Sequence, residues 1–222
     1  MEENTKSKVI ISLFWKFAER FGAQIIAFII SILLARILAP EDYGIIALAT
    51  IFITISNILL ENSLGTALIQ KKNADDLDFS SAFYFNVIAS IVLYIMIFFM
   101  SSIVAKIYDD LLIVPVLRIL GILVLIEGGR SVLIAYVAKK MFFKVNFICT
   151  LVGVVFSGAI GMYLAYNGYG VWALVTQQLT NSIVSTITLF IGVKWIPELK
   201  FSFERLKNLY KFGWKMLCSR NN

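Results

Sequence analysis

Six long apolar stretches alternate with short polar connections along the chain. They cover residues 12–38, 44–66, 80–105, 112–137, 146–167 and 170–193. A membrane-spanning helix needs roughly 17–25 mostly apolar residues, because the hydrocarbon core is about 30 Å thick and each helical residue advances about 1.5 Å. All six stretches reach that length. The pattern therefore predicts an all-α fold, a polytopic bundle of six transmembrane helices over residues 12–193.

The connections carry residues that end helices. They are rich in proline, glycine, asparagine and charged side chains, at residues 39–42, 71–76, 108–110, 139–140 and 167–170. Pro115 falls in the first turn of the fourth span, where its missing N–H is tolerated. Asp76 and Asp78 have a DxD-like spacing, which can hold a metal in glycosyl-transfer enzymes. A solvated loop with a helix N-cap before Phe79 is the better interpretation of that short pattern.

The composition agrees with a membrane protein and excludes several other classes. Hydrophobic residues make up 59 % of the 222 positions and charged residues 15 %, whereas soluble domains have about 45–50 % and about 25 %. With no histidine and only Cys149 and Cys218, the chain has neither a disulfide framework nor a Cys/His metal site. Because no phosphate loop and no nucleophile with a base appear, we expect a non-enzyme without metal or cofactor.

The positive charges are distributed unequally between alternate connections. If the N-terminus is cytoplasmic, only Arg36 and Lys106 lie in outside loops. The inside segments then hold Lys6, Lys8, Lys71, Lys72, Lys139, Lys140, Lys144, Lys194, Lys200, Arg205, Lys207 and Lys211. Lysine and arginine are enriched in cytoplasmic loops. The net charge of +6 therefore indicates orientation rather than nucleic-acid binding, with a cytoplasmic tail at 1–11 and a cytoplasmic basic segment at 194–222.

Polar side chains within the spans recur at helical spacing and so line one face of each helix. Such stripes occur on four spans: Lys16, Arg20, Gln24 and Ser31; Thr50, Thr54, Asn57 and Glu61; Asn86, Ser90 and Tyr94; Gln177, Asn181, Ser185 and Thr188. Because polar groups are costly in lipid, the stripes are best satisfied if they converge on one polar interior. Hydrogen bonding between neighbouring helices is the alternative for the neutral members.

Charged residues within the spans are the strongest functional candidates, since a charge at the membrane centre costs about 2.5–3.5 kcal/mol. Glu127 and Arg130 are i, i+3 neighbours and can neutralise one another. Arg118 lies near the outer end of its span, where a long side chain can reach the interface. A third group either pairs internally at the surface or contributes to a site: Lys16, Glu19 and Arg20.

Small residues mark two further spans. Gly153, Ser157 and Gly161 follow one another at i+4 in the fifth span, a spacing that lets two helix backbones approach closely. We expect tight helix packing there rather than a path for a substrate. Gly128 and Gly129, beside the Glu127–Arg130 pair, form either a flexible point or a close contact.

The C-terminal region echoes the N-terminal one. Residues 208–217 interleave aromatic and basic side chains much as residues 11–22 do where the first span enters the membrane. Two interpretations follow: an interfacial amphipathic helix that closes a six-helix protein, or the start of a seventh span whose remainder is absent. Internal repeats are common in transporters, so the echo favours the second interpretation, a truncated chain.

Several stretches carry a family resemblance. Residues 31–49, with Ala39-Pro40-Glu41-Asp42-Tyr43-Gly44 at their centre, resemble the hallmark stretch of bacterial polysaccharide flippases, the Wzx-type exporters of the MOP superfamily and in particular the WzxC-like lipopolysaccharide biosynthesis proteins. Residues 68–70, 168–175 and 212–215 resemble that family more weakly. The match runs along essentially the whole chain.

The resemblance implies an inner-membrane protein of twelve to fourteen helices in two six-helix lobes around a cationic cavity. Its cargo would be an undecaprenyl-pyrophosphate-linked oligosaccharide, flipped by alternating access with membrane lipid and polysaccharide-assembly proteins as partners. Cavity candidates are Lys16, Arg20, Gln24, Asn57, Arg118, Arg130, Gln177 and Asn181. Ion-coupling candidates are Glu19, Glu61 and Glu127.

The length departs from that family, because the chain covers one lobe and the opening of the next. Independent transport is therefore in question, and two rival functions remain. One is a non-transporting remnant or assembly partner with six helices. The other is a membrane-embedded glycosyl-transfer enzyme, which is disfavoured because the longest loop has only about a dozen residues.

Overall fold

The computed structural model describes residues 21–60, 65–71, 74–198 and 201–206, and all regular secondary structure in those ranges is helical. The helices are α1 (Phe21–Ala35), α2 (Pro40–Leu60), α3 (Thr66–Gln70), α4 (Asp76–Tyr108), α5 (Ile113–Leu120), α6 (Ile122–Lys140), α7 (Phe143–Tyr166) and α8 (Val171–Val193). A further helical turn covers residues 203–206. The predicted all-α class is confirmed for this part of the chain.

Four of these segments are long and apolar enough to cross a membrane: α2, α4, α7 and the nearly continuous pair α5–α6 over Ile113–Lys140. The chain is therefore a membrane protein. α1 is shorter over its described residues, and α8 has 23 residues but carries Gln177, Gln178 and Asn181 near its middle. That α1 and α8 also cross the membrane, which would complete six spans, stays a prediction.

The helix ends follow the local sequence. Pro40 opens α2 at a position that needs no N–H, and Glu41 and Asp42 place negative charge at the positive end of the helix dipole. Asp75 caps α4 in a capping box with Asp78, as the N-cap prediction required. Pro115 lies in the first turn of α5, also as predicted. α3 begins at residue 66, where the predicted second span ends, and forms a short helix that the sequence pattern did not predict.

Two apolar clusters hold the bundle together. The larger one joins α1, α2, α4, α5, α7 and α8 around fully buried side chains such as Leu34, Leu117 and Leu120. The smaller one lies where α4 begins and α6 ends, around Leu68, Phe79 and Leu133. Large apolar side chains remain exposed along the outer face of α4: Ile88, Val92, Ile95, Phe99 and Ile103. In a membrane protein such a face contacts lipid.

Candidate functional site

Polar side chains are exposed on the first two helices although both helices are mainly apolar. Gln24 and Ser31 are exposed on α1, and Thr50 and Thr54 are exposed on α2. The opposite side of α1 packs inward through Ala23, Ile30 and Leu34. The two helices also expose large apolar side chains such as Phe28 and Ile55, so their outer surface is mixed. Because exposed polar groups are costly against hydrocarbon, the polar members are better suited to water than to lipid.

Asn57 continues the α2 stripe toward the interior. Its side chain is half-buried, and its Oδ1 atom is buried without a hydrogen-bond partner. An unpaired buried amide oxygen carries a desolvation cost of about 1–3 kcal/mol. This oxygen can therefore accept a hydrogen bond from a water molecule or from a ligand.

Glu127 and Arg130 form the ion pair that their spacing predicts. Arg130 Nη1 lies 3.3 Å from Glu127 Oε2, and the two side chains keep 24 % and 10 % of their surfaces exposed. The Nε atom of Arg130 is buried and has no hydrogen-bond partner. The guanidinium group therefore balances the carboxylate and keeps a donor free.

A buried polar contact joins α4 to α6 next to the Glu127–Arg130 pair. Asn86 Nδ2 donates to Ser131 Oγ at 3.0 Å, and Asn86 and Ser90 are fully buried. A Cβ atom on Gly128 would lie only 2.5 Å from Ser90 Oγ and 2.9 Å from the carbonyl oxygen of Asn86. Gly128 is thus a close contact between helices, which resolves one alternative that the sequence left open.

The polar stripe of α8 faces α7. A Cβ atom on Gly153 would lie 2.7 Å from Asn181 Oδ1, and one on Gly161 would lie 3.0 Å from Gln177 Cβ. The predicted role of the glycine stripe in packing is therefore confirmed. Gln177 and Asn181 stay partly exposed, so they contact α7 with one edge while the other edge remains open.

The described stripes do not converge on one buried interior, and that expectation is wrong. The stripe of α4 faces α6, the stripe of α8 faces α7, and the stripes of α1 and α2 are exposed. The physical reason lies in the small residues of the neighbouring helices. Where glycine lets two backbones approach closely, a polar side chain packs against the adjacent helix instead of a shared centre.

Arg118 is anchored between α4 and α5. Its Nε atom donates to Ser101 Oγ at 3.0 Å and its Nη2 atom to Ser102 Oγ at 3.3 Å. The guanidinium carbon lies 4.0 Å from the centre of the Phe98 ring, in cation–π contact. These contacts tie α4 and α5 together.

The interpretation of Asp78 as part of a solvated loop is wrong. Its side chain is 0 % exposed, and its carboxylate meets Lys71 Nζ at 2.5 Å and Arg205 Nη1 at 3.5 Å. Arg205 also pairs with Asp75 at 3.3 Å. Partial burial acts to raise the pKa of Asp75, but the Asp78 N–H that it accepts and the charges of Arg205 and Lys71 outweigh this and lower it. Composition alone gives no signal for this cluster, because its members lie far apart in sequence.

Several candidates lie outside the described residues: Lys16, Glu19, Arg20 and Glu61. Among the residues that the structure does describe, no group of three or more acidic or cysteine side chains could hold a metal ion. Four candidates combine polar chemistry with an exposed side chain or with an unused hydrogen-bonding atom: Gln24, Asn57, Arg130 and Asn181.

The profile of a family described as "Polysaccharide biosynthesis protein" matches residues 33–221 of the chain. The succinoglycan biosynthesis transport protein ExoT of Rhizobium meliloti (strain 1021) is 23 % identical over 92 % of this chain and 42 % of its own length. The teichuronic acid biosynthesis protein TuaB of Bacillus subtilis (strain 168) is 25 % identical over 74 % of this chain and 35 % of its own. The lipopolysaccharide biosynthesis protein WzxC of Escherichia coli (strain K12) is 21 % identical over 81 % of this chain and 37 % of its own length.

The chain thus spans about two fifths or less of the length of these curated relatives. No solved structure matches the chain significantly.

Proposed function

Because the chain belongs to the polysaccharide biosynthesis protein family, we propose that it forms the N-terminal lobe of a membrane transporter for lipid-linked saccharides. The lobe comprises six helices within residues 12–193, and residues 194–222 lead into a further helix. The transporter moves repeat units from the inner to the outer leaflet of the bacterial inner membrane by alternating access. Transport proteins of saccharide biosynthesis among the relatives support this assignment.

The observation that carries the proposal is the exposed polar surface of α1 and α2. Gln24, Ser31, Thr50 and Thr54 lie on it among apolar side chains such as Phe28 and Ile55. Every exposed residue of α4 from Ile88 to Ile103 is large and apolar. The contrast distinguishes a cavity side from a lipid side. A second lobe facing α1 and α2 would enclose this polar surface and give a sugar chain hydrogen-bonding partners out of contact with hydrocarbon.

Cations supply the chemistry for a pyrophosphate. Lys16 and Arg20 precede Gln24 on the first span, and Arg130 offers a guanidinium group with an unpaired Nε. Arginine binds phosphate oxygens through directed, charge-assisted hydrogen bonds. In this proposal an undecaprenyl-pyrophosphate headgroup meets these cations, and Glu127 binds a coupling ion when the approaching phosphate draws Arg130 away from it.

In the proposed orientation, both termini lie in the cytoplasm. Lys71, Lys139 and Arg205 belong to the predicted inside segments, and their side chains meet at one end of the bundle, where Lys139 Nζ donates to the carbonyl oxygen of Lys71. Lys106 lies at the other end of α4. This grouping supports a cytoplasmic position for the end at which α4 begins.

The cavity is tested by the reactivity of single cysteines toward a water-soluble maleimide. In a background with Cys149→Ser and Cys218→Ser, Gln24→Cys and Thr54→Cys should react quickly in membranes, and Ile88→Cys and Ile95→Cys should stay unreactive. Equal reactivity of the two pairs would contradict an aqueous surface on α1 and α2.

The transport role is tested by polysaccharide export in the host cell. Gln24→Leu combined with Thr54→Leu should lower export at an unchanged protein level in the membrane, and Ile88→Leu serves as the matched control. Lipid-linked repeat units should then accumulate in the inner leaflet. Normal export by the double variant would remove this surface from the transport path.

A further inference from the structure

The chain turns back onto the bundle after α8. Lys194 ends the helix in the left-handed conformation, with φ of 53°, and residues 194–198 and 201–206 then run across the ends of α4 and α6. We call these two described stretches, residues 194–198 and 201–206, the strap. Two of its apolar side chains, Trp195 and Leu206, are 7 % and 5 % exposed and belong to the smaller apolar cluster, whereas Ile196, Phe201 and Phe203 are exposed.

Trp195 fills an aromatic pocket between α4 and α6. Its ring stacks on Tyr136 with 5.5 Å between centroids and meets Phe79 and Phe83 edge to face at 6.1 and 6.4 Å. Its indole Nε1 donates to Asp76 Oδ1 at 3.3 Å. A buried aromatic ring whose polar atom also has a hydrogen-bond partner is a specific anchor, because it combines apolar packing with a directed contact.

The backbone of the strap is tied to α4 by two buried hydroxyl groups. The N–H of Glu198 donates to Ser80 Oγ at 2.9 Å, and the N–H of Ser202 donates to Ser81 Oγ at 3.1 Å. Both serine side chains are fully buried. Hydrogen bonds from the strap backbone therefore attach it to the first two turns of α4.

Asp78 completes the attachment through charge. Its buried carboxylate lies between Lys71, at the end of α3, and Arg205 of the strap, while Asp75 takes a second contact from Arg205. Two cations thus balance two carboxylates. Loss of one member would leave a buried charge uncompensated, which makes this cluster resistant to opening.

We propose that the strap anchors the chain beyond α8 to the beginning of α4, with Asp78 as its positioning residue. The strap and the lobe move as one body, and the segment after residue 206 leaves from a point fixed by α4 and α6. A displacement of that following segment is therefore passed to α4, the helix whose later turns expose large apolar side chains from Ile88 to Ile103. The inference rests on contacts within this chain and does not depend on which substrate is carried.

Hydrogen–deuterium exchange of the full chain in lipid nanodiscs tests the anchor directly. In the wild-type protein the amides of Glu198 and Ser202 should exchange about tenfold or more slowly relative to an unstructured peptide of the same sequence. Exchange at the unstructured rate would overturn the proposal without any variant.

Variants then assign the anchor to Asp78. Arg205→Gln and Asp78→Asn should each speed exchange in residues 194–206 by about tenfold and leave α7 and α8 unchanged. Asp109→Asn, which removes the same charge at the other end of α4, is the matched control and should change nothing in the strap. If Arg205→Gln leaves the strap as protected as the control does, or if both test variants speed exchange equally throughout the lobe, Asp78 is not a local anchor.

Discussion

The contact between α4 and α6 allows a sharp test, because two adjacent glycines differ in what surrounds them. A Cβ atom on Gly128 would lie 2.5 Å from Ser90 Oγ, 2.7 Å from Ser90 Cβ and 2.9 Å from the carbonyl oxygen of Asn86. A Cβ atom on Gly129 would meet only the Phe83 ring, at 3.2 Å or more. Gly128→Ala must therefore separate two backbones, whereas Gly129→Ala needs only a small shift of a ring.

The magnitudes follow from two opposing effects. Alanine stabilises a helix interior by about 0.5–1 kcal/mol relative to glycine. Overpacking at a rigid contact costs about 1–3 kcal/mol. Gly128→Ala should therefore destabilise the protein by about 1–2 kcal/mol, and Gly129→Ala should be neutral or slightly stabilising. For a chain of this size the first change lowers the unfolding temperature by roughly 2–8 °C.

The buried thiol of Cys149 provides the assay. Its side chain is 3 % exposed, so in a Cys218→Ser background a thiol-reactive dye reports unfolding of the bundle. Ser90→Gly added to Gly128→Ala removes the two closest atoms and should restore part of the lost unfolding temperature. If Gly128→Ala unfolds at or above the temperature of Gly129→Ala, the close approach of α4 to α6 is wrong.

Three other outcomes follow from the same structure. Arg130→Ala should destabilise the protein by about 3 kcal/mol, since it leaves the buried Glu127 unpaired. Glu127→Gln in the same chain should recover much of that loss. Thermal unfolding compares the single and double variants, and equal unfolding temperatures would show that the two groups are not coupled. The pKa of Asp75 is lowered in the folded protein, so its negative charge stabilises the fold above the ordinary carboxyl pKa of about 3.9. This stabilisation is lost as the pH falls through the lower pKa of the folded state. The stability advantage of the wild type over Asp75→Asn should thus persist from pH 7 to about 5, decline below about 3.9 and vanish only below the lower folded pKa. An advantage that is constant at every pH would refute this reasoning. A reporter fused after Asp110 should be labelled from outside the cell, and cytoplasmic labelling would reverse the topology.

The helices could be predicted because each is encoded locally. Apolar length indicates the spans, and Asp75 and Pro40 mark helix starts by chemistry that acts within one turn. The Glu127–Arg130 pair is likewise three residues apart. Such features need no knowledge of how helices are arranged, so sequence reasoning reaches them.

The neighbours of each polar stripe could not be predicted in the same way. A periodic stripe shows which residues share a face, but not which helix that face meets. Asn181 meets Gly153, and Asn86 meets Ser131, because short connections bring α7 beside α8 while α4 pairs with α6. The burial of Asp78 depends on Arg205, which lies well over a hundred residues away. A charged residue in a loop is expected to be solvated when only the sequence is known, because the sequence does not show its distant partner.

Polar groups in this lobe fall into two kinds, and the difference bears on where a ligand can bind. Asn86 and Asp78 are fully buried; Ser131 accepts from the amide nitrogen of Asn86, whose oxygen has no partner, and Lys71 and Arg205 hold Asp78. Replacing them should therefore affect stability before transport. The exposed side chains of α1 and α2 have open surface around them, and the neighbouring Asn57 keeps a buried oxygen without a partner. Binding energy for a saccharide must come from groups that are not already committed to the fold, so the surface of α1 and α2 is where substitutions should alter transport at unchanged stability.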